Sequence, residues 1–132
     1  MKIIYWAVKL GDKSKTELLN AFRPIHKKIF GEHMTLAFNP DQATNEMMEK
    51  IAGQVVSMKV IGMGSDNNGQ AVVVEPSVNR IDGEVNHITI SCAEKVSPVY
   101  SIKLLNQEYR YLKSNQITLT GTIQKFTDKG WK

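Results

Sequence analysis

Two short stretches alternate apolar and polar residues strictly enough to predict half-buried strands. In "HMTLAF", residues 33 to 38, apolar Met34, Leu36 and Phe38 alternate with His33, Thr35 and Ala37. In "HITIS", residues 87 to 91, Ile88 and Ile90 alternate with His87, Thr89 and Ser91, and Cys92 continues the apolar side. The N-terminal "MKIIYWAVKLGDK" reads as a first strand, and "DKSKTELLNAF" as a helix with Ser14 as N-cap, Glu17 completing a capping box, and Leu18, Leu19 and Phe22 on one face. Pro24 stops that helix. "NPDQATNEMMEKIAGQ" predicts a second helix with Met47, Met48 and Ile51 inward and Gly53 as its stop. "VVSMKVIGMG" and "QAVVVE" form a hairpin across "SDNNG", a turn whose residues favour positive backbone angles. After the loop "PSVNRIDGEVN" and the second histidine strand come the loop "AEKVSPVYS", a short helix in "IKLLNQEYRYL" and a final strand in "QITLTGTIQKF". This order predicts an α+β fold with mostly antiparallel sheet. Because each half carries a His-x-Thr strand, it also predicts two similar lobes.

Composition narrows the setting. The 132 residues, 42% hydrophobic and 23% charged, fit one domain spanning residues 1–132. No apolar run is long enough to span a membrane, and the N-terminus lacks the small-residue cleavage site of a signal peptide. Cys92 stands alone, so no internal disulfide forms; a buried thiol in a reducing, cytoplasmic setting is expected. Seventeen basic against thirteen acidic residues leave a net charge of +4, which favours anionic partners. The basic residues are scattered, with "HKK" at 26 to 28 the densest group, so the chain lacks the stripe of a protein that coats nucleic acid.

The chemistry lies in the polar faces of the two strands. Strand alternation puts His33 and Thr35 on one face, about 7 Å apart, and does the same for His87 and Thr89. If the strands are neighbours, two imidazoles and two hydroxyls converge. Imidazole, with an ordinary pKa near 6.5, serves as acid or base near neutrality, and threonine hydroxyls can donate to phosphate oxygens. That set fits phosphodiester cleavage, with one histidine taking a proton from the attacking oxygen and the other protonating the leaving oxygen. His26 has no such partner and is expected at the surface or core edge. With no His-x-x-x-His helix and no Cys-x-x-Cys pair, neither a metal nor another cofactor is expected. Tyr5, Trp6, Tyr100, Tyr109, Tyr111 and Trp131 are candidates to stack on a base. Tyr100 and Trp131 lead because they lie in loop-like or terminal segments, and Arg80 and Lys95, flanking the second motif, are candidate phosphate contacts.

"HMTLAF" and "HITIS" resemble the paired His-x-Thr/Ser motifs of the 2H phosphoesterases, the superfamily of RNA ligase-like and 2′,3′-cyclic nucleotide phosphodiesterases. With "FGEHMTLAFNP", "VIGMGSDNNGQAVVV" and "NHITISCAEKVSPVYSIKLL", the resemblance spans residues 1 to 126 and points to a short branch that includes RNA-repair and phage proteins. It implies a two-lobed, pseudo-symmetric α+β fold, helices outside, with a central cleft carrying both His-x-Thr strands. It implies metal-independent catalysis by His33 and His87, with Thr35 and Thr89 binding phosphate. The implied substrate is a 2′,3′-cyclic phosphate at an RNA end, a 2′-5′ linkage, or a small cyclic oligonucleotide of antiviral signalling. In the last case the protein would act in a host cytoplasm. A non-catalytic nucleotide-binding module, or a purely structural protein, remains an alternative at this stage.

Overall fold

Alternation in "IIYWAVKL" builds strand β1 (Ile3–Leu10), which buries Trp6, Val8 and Leu10 and turns Tyr5 and Lys9 to its other side. The computed structural model describes residues 1–114 and 116–132. After β1 come α1 (Asp12–Ala21), β2 (Lys28–Ile29), β3 (His33–Phe38), α2 (Gln42–Glu49), β4 (Val55–Ser65) and β5 (Gly69–Pro76). Then follow β6 (His87–Cys92), α3 (Tyr100–Gln107), β7 (Arg110–Tyr111), β8 (Thr118–Thr127) and β9 (Gly130–Trp131). The fold is α+β, and the strands pair antiparallel.

The sheet runs β7-β4-β5-β6-β3-β1-β8-β9, and β4 pairs a second time with β8. That extra pairing closes β4, β5, β6, β3, β1 and β8 into a six-stranded barrel; the part of β4 beyond its contact with β8 keeps an edge, which β7 covers. Strand β4 makes the closure because it changes partner along its length. Val55–Lys59 pair with β8, Met58–Ser65 pair with β5, and a register shift between Val60 and Gly62 bends the strand between the two. At Gly121 β1 and β8 approach so closely that a side chain would meet the Lys9 carbonyl. Each barrel strand sends a side chain into the core: Trp6, Met34, Met58, Val72, Ile88 and Leu119 are all buried. Burial of side chains this size contributes roughly 1.5–3 kcal/mol apiece. Helix α3 packs outside, with Leu105 against Ala71 and Val73 on the outer face of β5, whereas α1 and α2 add Leu18 and Met48 to the core cluster.

Several local expectations change. Helix α1 starts one turn early, capped by Gly11, so Ser14 sits inside it and its Oγ accepts from the Thr120 N–H at 2.9 Å instead of closing a capping box. Helix α2 is capped by Asp41, whose Oδ1 accepts from the Thr44 N–H at 2.8 Å; it turns Met48 inward but leaves Met47 exposed. Gly53, at φ 86°, does follow as its stop. The "SDNNG" turn needs no positive angle: Asp66 Oδ1 accepts from the Asn68 and Gly69 N–H groups, an Asx turn that closes the hairpin by side-chain bonding. The last helix ends at Gln107, since Arg110 and Tyr111 pair with β4 at Met63 and Gly62. Phe38, placed in the core by alternation, is 60% exposed. Trp6 pairs with Ala37 and Ala7 with Thr35, so Leu36 is bulged; Leu36 and Ala37 both turn inward and Phe38 is thrown to the outer face. The pairing draws no boundary between two lobes, because strands from both halves of the chain share the one closed sheet.

Candidate functional site

Strands β3 and β6 are neighbours, aligned through the pair Met34 and Ile88. One step along this antiparallel register sets Thr35 opposite His87 and His33 opposite Thr89. The rows extend into the flanking strands, where Ala7 pairs with Thr35, Lys9 with His33, Ala71 with Thr89 and Val73 with His87. The four motif residues thus form a square on the outer face, with the histidines on one diagonal, about 7–8 Å apart between backbones, and the threonines on the other.

His87 is only 7% exposed. Its Nδ1 lies 2.9 Å from the Val85 carbonyl. A carbonyl only accepts, so Nδ1 carries the proton and the Nε2 lone pair is left for other partners. Burial pushes the His87 pKa down; the Val85 bond opposes this and the Arg80 guanidinium adds to it. Arg80 is itself buried and forks onto Asp82, Nε to Oδ1 at 3.0 Å and Nη2 to Oδ2 at 2.8 Å, while its N–H donates to Asn86 Oδ1. Its charge acts on His87 from a position locked by that carboxylate.

His33 is held by aromatic rings. It stacks on Tyr5 at 5.0 Å between centroids and 24° between planes, and meets the edge of Trp131 at 5.6 Å. Its Nδ1 is buried without a hydrogen-bond partner. Burial lowers its pKa to about 4; the Glu32 carboxylate opposes the shift and His87 adds to it. Both imidazoles of the unliganded protein are therefore neutral at pH 7.

The threonines differ. The Thr35 hydroxyl has no hydrogen-bond partner among the described residues, whereas Thr89 Oγ1 lies 2.8 Å from Ser101 Oγ and 3.4 Å from the Pro98 carbonyl, at the start of α3. Of the other sequence candidates, Trp131 joins the site. It is brought there by the β8–β9 hairpin, which pairs it with Phe126. Tyr100 is committed elsewhere: its hydroxyl donates to Asp66 Oδ2 at 2.5 Å and its ring packs on Gly69. His26, half-buried at the core edge, joins that same turn through Nε2 and the Asp66 carbonyl at 2.9 Å. Lys95 is exposed in the loop after β6, and no described contact ties it to the motif residues.

Sequence reading gave Tyr5 no special weight and did not single out Lys9 or Phe126. Tyr5 lies between His33 and Phe126, its centroid 5.1 Å from that of Phe126, and burial first, then Glu32, pushes its hydroxyl pKa up to about 12. Lys9 Nζ stands 5.9 Å from the Trp131 ring centroid. The signal was available: Tyr5 and Lys9 alternate with Trp6, Val8 and Leu10, so they share the face of whatever pairs with them. Two grooves, of about 270 and 350 Å³, flank β8, the second bordered by Lys9, but none of the four motif residues lines either. Buried polar chemistry, rather than concavity, marks the histidine square. Among the described residues no group of three or more His, Cys, Asp or Glu is placed to hold a metal ion, and no described helix is long and apolar enough to cross a membrane. Cys92 is a buried free thiol with its pKa raised by burial.

The depressed His33 pKa has a consequence for stability. Between pH 6.5 and about 4 the unfolded chain binds a proton that the folded chain does not, so stability falls as pH falls through this window. The loss is on the order of 3 kcal/mol. Urea titrations of the wild type and His33→Phe at pH 7 and pH 4 should show a smaller loss in the variant; equal losses would contradict a buried, neutral His33.

No family model and no curated protein matches the chain. Among solved structures it is similar to a chain of a fungal RNA kinase, with a TM-score of 0.59 and 17% identity. The alignment covers 92% of this chain and 42% of that one, so the barrel corresponds to less than half of that chain.

Proposed function

We propose that this chain is a metal-independent phosphodiesterase of the two-histidine type that cleaves a phosphodiester in a nucleotide or at an RNA end. The observation that carries the reading is the Met34–Ile88 register, which sets two neutral imidazoles diagonally across one small patch with a hydroxyl beside each. A phosphate over the centre of the square meets an imidazole on either side. His87, with its lone pair on Nε2, takes the proton of the attacking water or ribose hydroxyl as that oxygen bonds to phosphorus. His33, protonated once the phosphate anion lies beside it, gives its proton to the departing oxygen as the P–O bond breaks. Thr35 donates to a non-bridging oxygen, and Thr89 does the same while accepting from Ser101. The fold likeness to a fungal RNA kinase is in keeping with RNA among the substrates. The buried free Cys92 supports a reducing, cytoplasmic setting.

A substrate panel tests this: 2′,3′-cyclic mononucleotides, an RNA with a 2′,3′-cyclic phosphate end, 2′-5′ oligoadenylate and cyclic dinucleotides, each with and without chelator. At least one is expected to be turned over, with chelator making no difference. Chelator-sensitive turnover would remove the mechanism. Binding without product would make the chain a nucleotide-binding module.

A further inference from the structure

The two threonines of the square are not equivalent, because a second chain segment holds one of them. Thr89 Oγ1 lies 2.8 Å from Ser101 Oγ and 3.4 Å from the Pro98 carbonyl. The direction of these bonds follows from counting protons. A carbonyl only accepts, so the Pro98 contact takes the single Thr89 proton, and the proton between the two hydroxyls is Ser101's. Ser101 is 1% exposed, and its side chain makes no other described hydrogen bond, so donating to Thr89 is also what satisfies its own buried hydroxyl. The Thr89 proton therefore rests on a long, weak contact. A phosphate oxygen at about 2.7 Å gives it a stronger one, and Ser101 goes on donating as before. The Thr35 hydroxyl, with no described partner, takes its direction only when a substrate arrives.

Packing of α3 on β5 brings Ser101 to this place. Thr89 pairs across the sheet with Ala71, and that fully buried alanine leaves room for α3 to lie close on the outer face. Leu105, one turn after Ser101 on the same side of the helix, packs on Ala71 and Val73. The start of α3 is tied down twice more. The Tyr100 hydroxyl donates to Asp66 Oδ2 at 2.5 Å, and Lys28 Nζ donates at 2.6 Å to the Val96 carbonyl in the loop that leads into the helix. Side chains that take no part in the proton transfers, Tyr100, Asp66 and Lys28, thus fix where the Ser101 hydroxyl stands. We propose that Ser101 is a positioning residue: it aims the Thr89 proton at one non-bridging oxygen of the phosphate, so that the site treats the two non-bridging oxygens unequally. This rests on the phosphodiesterase reading above and adds a stereochemical preference to it.

The test uses Ser101→Ala, Ser101→Cys, Thr89→Val and the double variant of Ser101→Ala with Thr89→Val, each checked for folding by circular dichroism. On whichever phosphodiester of the panel is turned over, Ser101→Ala is expected to lower kcat/KM about fivefold to tenfold, the worth of one neutral hydrogen bond. Ser101→Cys, which keeps the shape but donates weakly, should lose nearly as much. In the Thr89→Val background the Ser101→Ala change should cost less than about twofold, because the hydroxyl that Ser101 aims is gone. The two phosphorothioate diastereomers of the same substrate give a readout that packing alone does not move. Sulfur accepts hydrogen bonds poorly, so their rate ratio should shift by about fivefold in Ser101→Ala, and in the same sense in Thr89→Val. A readout without turnover is the binding of inorganic phosphate, followed by the NMR shifts of the imidazole protons. Ser101→Ala should weaken it about threefold or more, but not when Thr89 is already valine. If nothing is turned over and phosphate binding shows this coupling, the phosphodiesterase reading fails and the role of Ser101 stands. Equal losses from Ser101→Ala with and without the Thr89 hydroxyl, an unchanged diastereomer ratio, or a protein that neither turns over a substrate nor binds phosphate would overturn it.

Discussion

Replacing His87 with alanine is expected to lower kcat/KM on whichever phosphodiester the protein cleaves by about a hundredfold to ten-thousandfold, the usual contribution of a positioned acid or base. His33→Ala is expected to fall in the same range, and the double variant little further, because the two imidazoles act together in one displacement step and their losses do not add. Single-turnover rates of the three variants, with circular dichroism to confirm folding, decide the matter. His87→Gln adds a control, since its side chain fills the buried site while lacking a group that titrates near neutrality. Variants that keep turnover within tenfold of the wild type would show that the histidines only pack.

The pH dependence of the wild type is the second large effect. Productive protein needs one histidine neutral and the other protonated, so kcat/KM, which reports the free protein, peaks between the two pKa values. Both lie below the ordinary 6.5, that of His33 at about 4, and both are displaced chiefly by burial. The bell is therefore expected on the acid side of 6.5, falling about tenfold per pH unit above the higher pKa as the acid loses its proton. In the bound complex the phosphate anion favours imidazolium, so the kcat profile should lie at higher pH than that of kcat/KM. A kcat/KM optimum above pH 7.5, or identical profiles for the two parameters, would contradict buried imidazoles that are neutral until substrate arrives.

The two histidine strands were legible because each is a local, period-two pattern, and their partners confirm the inward side: Met34, Leu36, Ile88, Ile90 and Cys92 are all fully buried. Where alternation misled, a distant contact had intervened. Phe38 changed sides because Trp6 on β1 takes Ala37 as its partner and forces a bulge. Ser14 gave up its cap because the Thr120 N–H, more than a hundred residues away, needed an acceptor. Tyr109 to Leu112 read as helix, yet the open edge of β4 recruited Arg110 and Tyr111 as a strand.

The sequence by itself determined that two strands each carry a histidine and a threonine two residues apart and that each such pair shares one face of its strand, because side-chain alternation is set by backbone geometry alone. Only the tertiary structure decided that β3 and β6 are neighbours in that register. It also closed the two halves into one barrel, brought Tyr5 and Trp131 around His33, and depressed both imidazoles. Strand pairing and burial depend on residues far apart in the chain, and a local pattern holds no record of which distant backbone will satisfy its hydrogen bonds.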